Sequence, residues 1–168
     1  MREDMPITPL AADVTLTTSS VAQTQVLGQR LGQHAAPGAI ILLSGDLGAG
    51  KTALTQGIAR GLGITETVNS PTFTLLKEHG GGRLWLYHFD LYRIGNAEEI
   101  WSLGFDDYFL GDGVCVVEWA ERTPTIWGDN WLWLRLTPRG TTKRHITLRA
   151  SGARAKALLQ AVIADPIP

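Results

Sequence analysis

One segment of the sequence has the residue spacing of a phosphate-binding loop. Residues 45–52 match the pattern GxxxxGK[ST] between an apolar run and a helix-like stretch. Glycines let such a loop wrap its backbone N–H groups around phosphate oxygens, where a Cβ would obstruct them. We expect Lys51 to reach the β- and γ-phosphates and the Thr52 hydroxyl to coordinate Mg²⁺. The candidate nucleotide-binding residues are Gly45, Asp46, Leu47, Gly48, Ala49, Gly50, Lys51 and Thr52.

Two acidic residues end apolar runs and are candidates for metal binding and hydrolysis. Asp90 ends the run 84–90 and Glu118 ends the run 114–118. Ligands of open α/β sheets bind at the carboxyl ends of strands, and nucleotide hydrolysis needs a carboxylate for the metal and a group that orients water. Spacing does not decide which acid faces the metal, and either acid alone is also explained as a surface residue. Trp119 follows Glu118 directly and is a candidate to border the nucleotide.

Three further polar features have competing interpretations. His88 lies two residues before Asp90, and we favour a hydrogen-bonded core histidine over a catalytic base. Arg93 is suited equally to a phosphate contact and to an ion pair with Asp90 or Glu98. The segment Ser70-Pro71-Thr72-Phe73 follows the predicted loop helix, and a nucleotide-sensing switch and a plain turn explain it equally well.

The elements that position these residues follow from the hydropathy pattern. Strands are predicted over 14–17, 39–43, 84–89, 114–117, 131–136 and 145–150. Helices are predicted over 51–62 and 153–164. A further helix is expected to begin after a Ser19 or Ser20 cap and to run to about residue 33, and another to begin at a capping box formed by Asn96 and Glu99. Strands alternating with helices predict an α/β fold, a three-layer P-loop NTPase-like sandwich. Its sheet is expected to be mostly parallel with an antiparallel C-terminal hairpin, in one domain over residues 1–168.

Length and composition exclude several classes of protein. The chain has 168 residues, 44% of them hydrophobic and 18% charged, with a net charge of -1, which excludes a strongly basic nucleic-acid binder and an acidic disordered tail. A single cysteine, Cys115, cannot form an internal disulfide, so we expect a reducing, cytoplasmic location. No apolar run approaches a membrane span, and residues 1–10 lack a signal-peptide pattern, so we expect no membrane association.

The charges are segregated along the chain. Residues 90–121 hold eight acids and one base, Arg93, whereas residues 135–156 hold seven bases and no acid. One interpretation is that the two segments lie close together and neutralise each other. The other is an acidic metal site beside a basic face that binds a partner.

Taken together, these motifs resemble the bacterial TsaE proteins (YjeE family). The similarity runs in order through residues 24–28, the loop, residues 70–73, 88–93 (HFDLYR) and 117–121 (VEWAE), about three quarters of the chain. The resemblance implies a P-loop α/β fold that binds ATP with Mg²⁺. It also implies assistance to two partner proteins, TsaB and TsaD, which transfer a threonylcarbamoyl group to the adenosine beside the anticodon of tRNA. This chain would then meet tRNA only indirectly.

The resemblance also assigns roles that spacing left open. It assigns Lys51 to phosphate and catalysis, Thr52 and Glu118 to Mg²⁺, Asp90 to hydrolysis, and Trp119 to the vicinity of the nucleotide. Arg144, in the predicted hairpin, corresponds to an arginine near the phosphates. Many relatives have a second hydroxyl residue after the loop threonine, where this chain has Ala53. We therefore expect a lost contact to the α-phosphate and a lower nucleotide affinity.

Two other functions compete with an ATPase. A small-molecule P-loop kinase shares the loop and the α/β core, although no arginine-rich lid is evident between the core strands. A nucleotide-gated assembly module would use ATP binding to organise a complex and turnover to reset it. A GTPase is disfavoured because the guanine-reading N-K-x-D pattern is absent.

Overall fold

The structure is a computed structural model that describes residues 13–71 and 73–168. The strands are β1 (Val14–Thr18), β2 (Ile40–Ser44), β3 (Leu76–His79), β4 (Leu86–Asp90), β5 (Val114–Glu118), β6 (Trp131–Arg139) and β7 (Lys143–Ser151). The helices are α1 (Val21–His34), α2 (Lys51–Gly61), α3 (Ala97–Ser102), α4 (Asp106–Phe109) and α5 (Ala153–Ile163), with a 3₁₀ turn at Ala120–Arg122. Within these described ranges, no helix has the length and hydropathy needed to cross a membrane.

The strands form one sheet in the order β1-β7-β6-β2-β5-β4-β3. The four central strands, β6, β2, β5 and β4, are parallel to one another, whereas β7 and β1 at one edge and β3 at the other edge pair antiparallel. This confirms the α/β class, the parallel centre and the antiparallel β6–β7 hairpin. Strand β3, which pairs antiparallel with β4, was not predicted from the sequence because its residues are largely polar.

Helices cover both faces of the central strands and give the predicted three layers. Leu43 and Val116 belong to the core shared with α1, α2 and α5. Leu42 and Val117, one position along in each strand, belong to the opposite core, where the segment from α3 to the 3₁₀ turn packs. The apolar runs predicted as buried strands are continuous because successive side chains fill opposite cores.

Two helix starts follow the predicted capping chemistry. The Ser20 hydroxyl accepts a hydrogen bond from the backbone N–H of Gln23 at 3.1 Å, which makes Ser20 the N-cap of α1. Asn96 and Glu99 form the predicted capping box, because the side chain of each accepts from the backbone N–H of the other. The capping box fixes the start of α3. The short helix α4 was not predicted from the sequence.

Glycines bring the backbones of α1 and α2 into direct contact. A Cβ built on Gly28 of α1 would lie 2.2 Å from the carbonyl oxygen of Leu54, and one on Gly57 of α2 would lie 2.1 Å from that of Gln25. No side chain fits at either position unless the helices separate. Since α2 begins at Lys51, this contact also fixes the helix that follows the loop.

We expect Gly28→Ala to destabilise the protein by about 2 kcal/mol or more. The energy cost of the steric overlap with backbone outweighs the roughly 1 kcal/mol that alanine gains over glycine in helix propensity. Chemical denaturation measures the change in the free energy of unfolding. The control is Gln29→Ala, which changes an exposed residue of the same helix. Equal stability of the two variants would contradict the close helix contact.

Cys115 lies on β5 and is 1% exposed. Burial raises the pKa of its thiol to about 12, so the reactive thiolate is scarce at neutral pH. We expect iodoacetamide to leave the folded protein unmodified and to label it stoichiometrically in denaturant, as measured by intact mass. Rapid labelling of the native protein would contradict the packing of β5.

Candidate nucleotide-binding site

The predicted phosphate loop connects the carboxyl end of β2 to α2. Gly45 has φ 145°, and a Cβ there would lie 2.6 Å from the carbonyl oxygen of Leu136 on the neighbouring β6. Gly50, at the N-cap of α2, has φ 109° in the left-handed region. Both positions require glycine, which explains the glycines at the two ends of the pattern.

Lys51 is the first residue of α2 and is 5% exposed. Its Nζ donates hydrogen bonds to the carbonyl oxygens of Gly45 at 2.5 Å and Asp46 at 3.1 Å. The same Nζ lies 4.2 Å from the centre of the Trp119 ring. Burial lowers the pKa of Lys51, and nearby carboxylates, led by Glu118, oppose that shift. Two predicted site residues from distant parts of the sequence therefore meet at the loop.

Asp90 and Glu118 are direct partners in the parallel pairing of β4 with β5. They are 2% and 3% exposed. Paired residues of parallel strands point to the same face, and Val116, two residues before Glu118, lies in the core beneath α2. The structure thus brings both predicted acids together, on the sheet face that carries the loop helix.

Hydrogen bonds from Ser70 and Tyr92 hold the Asp90 carboxylate in place. The Ser70 hydroxyl donates to Oδ2 at 2.7 Å, and the backbone N–H of Tyr92 donates to Oδ1 at 2.9 Å. The segment that the sequence left as a switch or a turn therefore contacts a candidate catalytic acid. The N–H of Leu75 also bonds the carbonyl of Pro71, which closes a turn, and Thr72 lies outside the described residues.

His88 positions the other acid. It is fully buried, and its Nε2 lies 2.6 Å from Oε2 of Glu118. This is the hydrogen-bonded core histidine that the sequence favoured. Arg93 lies with its guanidinium carbon 5.8 Å from the centre of the Phe73 ring.

The donors near the loop fit Mg²⁺. A threonine hydroxyl at Thr52 and the carboxylates of Glu118 and Asp90 are hard oxygen ligands, which suit Mg²⁺ better than zinc or copper. No group of three or more His, Cys, Asp or Glu residues within 13–71 and 73–168 forms a metal cluster.

Arg144 reaches the loop from β7. Its Nε donates to the carbonyl of Ala49 at 2.9 Å, and its Nη2 donates to that of Gly48 at 3.2 Å. The arginine therefore braces the loop backbone. Its contact with a nucleotide phosphate stays a prediction.

Glu121 also lies at the loop, and it was not among the predicted site residues. Burial raises the pKa of its carboxyl, whereas its own N–H, the Lys51 charge and the N–H of Gly45 favour the ionised form. Its Oε1 is buried and has no hydrogen-bond partner among the described residues. The signal in the sequence was its position three residues after Glu118, which the 3₁₀ turn brings back toward the loop.

The two charged segments lie on opposite sides of β2. The acids at the ends of β4 and β5 lie on one side, and the basic β6–β7 hairpin lies on the other. Among the residues that the structure describes, no ion pair joins the two segments. The two segments therefore occupy separate parts of the sheet, and both the metal site and the partner-binding face stay predictions.

The chain is similar to known proteins of one family. Residues 18–146 match the model of the family described as threonylcarbamoyl adenosine biosynthesis protein TsaE. The chain belongs to the TsaE family. The tRNA threonylcarbamoyladenosine biosynthesis protein TsaE of Bacillus subtilis is 43% identical over 143 residues, which cover 85% of this chain and 89% of that protein. The TsaE of Treponema pallidum is 39% identical over 129 residues, 77% of this chain and 95% of the relative.

A solved structure shares the fold. The crystal structure of Bacillus subtilis YdiB superposes on this chain with a TM-score of 0.77 and 37% sequence identity. The superposition covers 94% of this chain and 98% of the YdiB chain. The described sheet and helices of this TsaE-family protein are therefore a known architecture.

Proposed function

We propose that this TsaE-family protein binds and hydrolyses ATP with Mg²⁺, and thereby supports transfer of a threonylcarbamoyl group to the adenosine beside the anticodon of tRNA by TsaB and TsaD. Family membership supports the role in tRNA threonylcarbamoyladenosine biosynthesis. The observation that carries the ATPase activity is the pairing of Asp90 with Glu118 on the sheet face that holds the loop and Lys51.

Each residue has a distinct role in the proposed reaction. The loop N–H groups and Lys51 bind the β- and γ-phosphates and offset their negative charge. Thr52 and Glu118 hold Mg²⁺, which when bound neutralises charge that develops on the phosphate oxygens. Trp119 borders the nucleotide beside Lys51.

Asp90 orients the attacking water and accepts its proton at a carboxylate oxygen. Ser70 and the N–H of Tyr92 fix the orientation of that carboxylate. We propose slow turnover by the isolated protein and faster turnover once a partner completes the site, because a P-loop site often lacks one catalytic element until a partner orders it.

The proposed setting is the cytoplasm, where reduced thiols and tRNA coexist. A single buried thiol at Cys115 suits that compartment. TsaB and TsaD are the proposed protein partners.

The experiment mixes the purified protein with TsaB and TsaD, with and without ATP, and measures complex formation by gel filtration and phosphate release. We expect association to depend on ATP and turnover to rise in the complex. Lys51→Ala is the matched control, because it removes the phosphate ligand without changing an outer surface. The proposal would be contradicted if the wild type and Lys51→Ala formed the complex equally well with and without ATP, and if the partners did not change the rate of phosphate release.

A further inference from the structure

One face of β1 and β7, and of β6 from Arg135 onward, is not covered by any described helix, whereas Trp131 and Trp133, earlier on this face of β6, pack in the core on the side of α3. Helices α1 and α5 pack on one side of β1, β6 and β7, in the core that contains Leu134 and Leu148. The side chains that alternate with this core point to the other side. We call this surface the basic sheet face; it comprises Thr15, Thr17, Arg135, Thr137, Arg139, Lys143, His145, Thr147 and Arg149.

Strand register places these residues in rows across three strands. One row is Thr15, Thr147 and Arg135, and the next row is Thr17, His145 and Thr137. Arg139 and Lys143 form a third row at the hairpin end. Neighbouring rows are about 6.6 Å apart, because residues on one face of a strand are two positions apart.

Within the part of the chain that the structure describes, the exposed cations of this face have no acidic partner. Arg135, Arg139 and Lys143 are exposed, and no ion pair within residues 13–71 and 73–168 involves them. Arg139 donates instead to Nδ1 of His145 at 3.3 Å. The acid bound on this face is Asp13, which pairs with Arg149.

We propose that the basic sheet face binds the phosphate backbone of RNA. Lysine, arginine and threonine side chains are the usual donors to phosphate and sugar oxygens. Protein interfaces have an apolar centre, whereas the large exposed hydrophobic side chains of the described chain, such as Phe73 and Leu110, all lie outside β1, β6 and β7. An RNA backbone therefore fits this surface better than an acidic protein.

The face is continuous with the nucleotide site through the hairpin. Lys143 and His145 point to the basic sheet face, and Arg144 between them points to the other side and braces the carbonyls of Gly48 and Ala49. RNA on the face would thus contact the strand that supports the loop. This inference goes beyond the proposed function, which assigned tRNA to the partner proteins, and it does not depend on ATP hydrolysis.

The test measures binding of a fluorescent, unmodified tRNA transcript to the full chain by anisotropy, at several salt concentrations. The variant Arg135→Ser/Arg139→Ser/Lys143→Ser removes three exposed cations of the face. We expect its affinity to fall about ten-fold or more at low salt, and the slope of log affinity against log salt to fall by roughly two. The control, Arg60→Ser/Lys77→Ser/Lys156→Ser, removes the same charge from exposed positions on α2, β3 and α5.

Three results would overturn the inference: wild-type affinity in the face variant, an equal loss in the control, or tighter binding of labelled polyglutamate than of tRNA by the wild-type chain. The last result would identify an acidic protein as the occupant. Titration of the face variant with Mg-ATP separates the two proposals. If the face variant loses tRNA binding and still binds ATP normally, the result supports RNA binding by the basic sheet face. If the wild-type chain fails to bind ATP, the result contradicts the proposed function and leaves the RNA-binding inference unaffected.

Discussion

Lys51→Ala and Thr52→Ala are each expected to lower Mg-ATP turnover by about 100-fold or more, in line with the loss of one preorganised ligand at a transferring phosphate. Lys51 contacts loop carbonyls and the Trp119 ring, and Thr52 is the second residue of the helix that follows the loop. Neither side chain belongs to the apolar core, so the fold is expected to persist.

Phosphate release measures the effect, and circular dichroism with thermal melting checks the fold. Lys77→Ala is the control, because Lys77 is an exposed lysine on β3. Wild-type turnover in a folded Lys51→Ala protein would refute the assignment of the phosphate loop.

Substitutions of the two paired acids are expected to have different effects, one on Mg-ATP binding and the other on hydrolysis. Glu118→Ala removes a proposed Mg²⁺ ligand and should weaken ATP binding in the presence of Mg²⁺ while leaving Mg-free binding unchanged. Asp90→Asn keeps the size of the side chain and an oxygen that accepts from Tyr92 or Ser70. It should leave ATP binding nearly intact and slow hydrolysis by roughly 100-fold, the lower range for loss of a general base.

Titration calorimetry with and without Mg²⁺, beside a turnover assay, measures both effects. Gln56→Ala serves as a control on the loop helix, since Gln56 bonds the carbonyl of Val68 and neither acid. If Asp90→Asn lost Mg-dependent binding and Glu118→Ala lost only turnover, the two roles would be exchanged.

Local sequence predicted the parts of the site that are local in structure. The loop, its lysine and the start of α2 are consecutive residues, so spacing alone identified them. The two acids were predictable because each ends an apolar strand, and the carboxyl ends of parallel strands meet at one edge. Their direct pairing depends on the register of β4 against β5, which spacing does not contain.

Contacts between distant segments were not predictable in the same way. The hydrogen bond from Ser70 to Asp90 depends on the conformation of the loop between α2 and β3. Strand β3 itself was not predicted from the sequence. Glu121 reaches the loop through a 3₁₀ turn whose entry, Trp119, has φ 61°, a conformation that hydropathy does not reveal. The charge run 135–156 was visible, but only the pairing of β6 with β7 and β1 shows which of its residues share a face.

The most direct test of the proposed function is threonylcarbamoyl transfer to tRNA, reconstituted with TsaB, TsaD, a threonylcarbamoyl donor and this protein. We expect modified tRNA to accumulate faster with the wild-type chain and ATP than without either, and Lys51→Ala to remove that gain. Equal accumulation with and without the chain, together with phosphorylation of a small metabolite by the chain alone, would contradict the proposed function and favour a kinase.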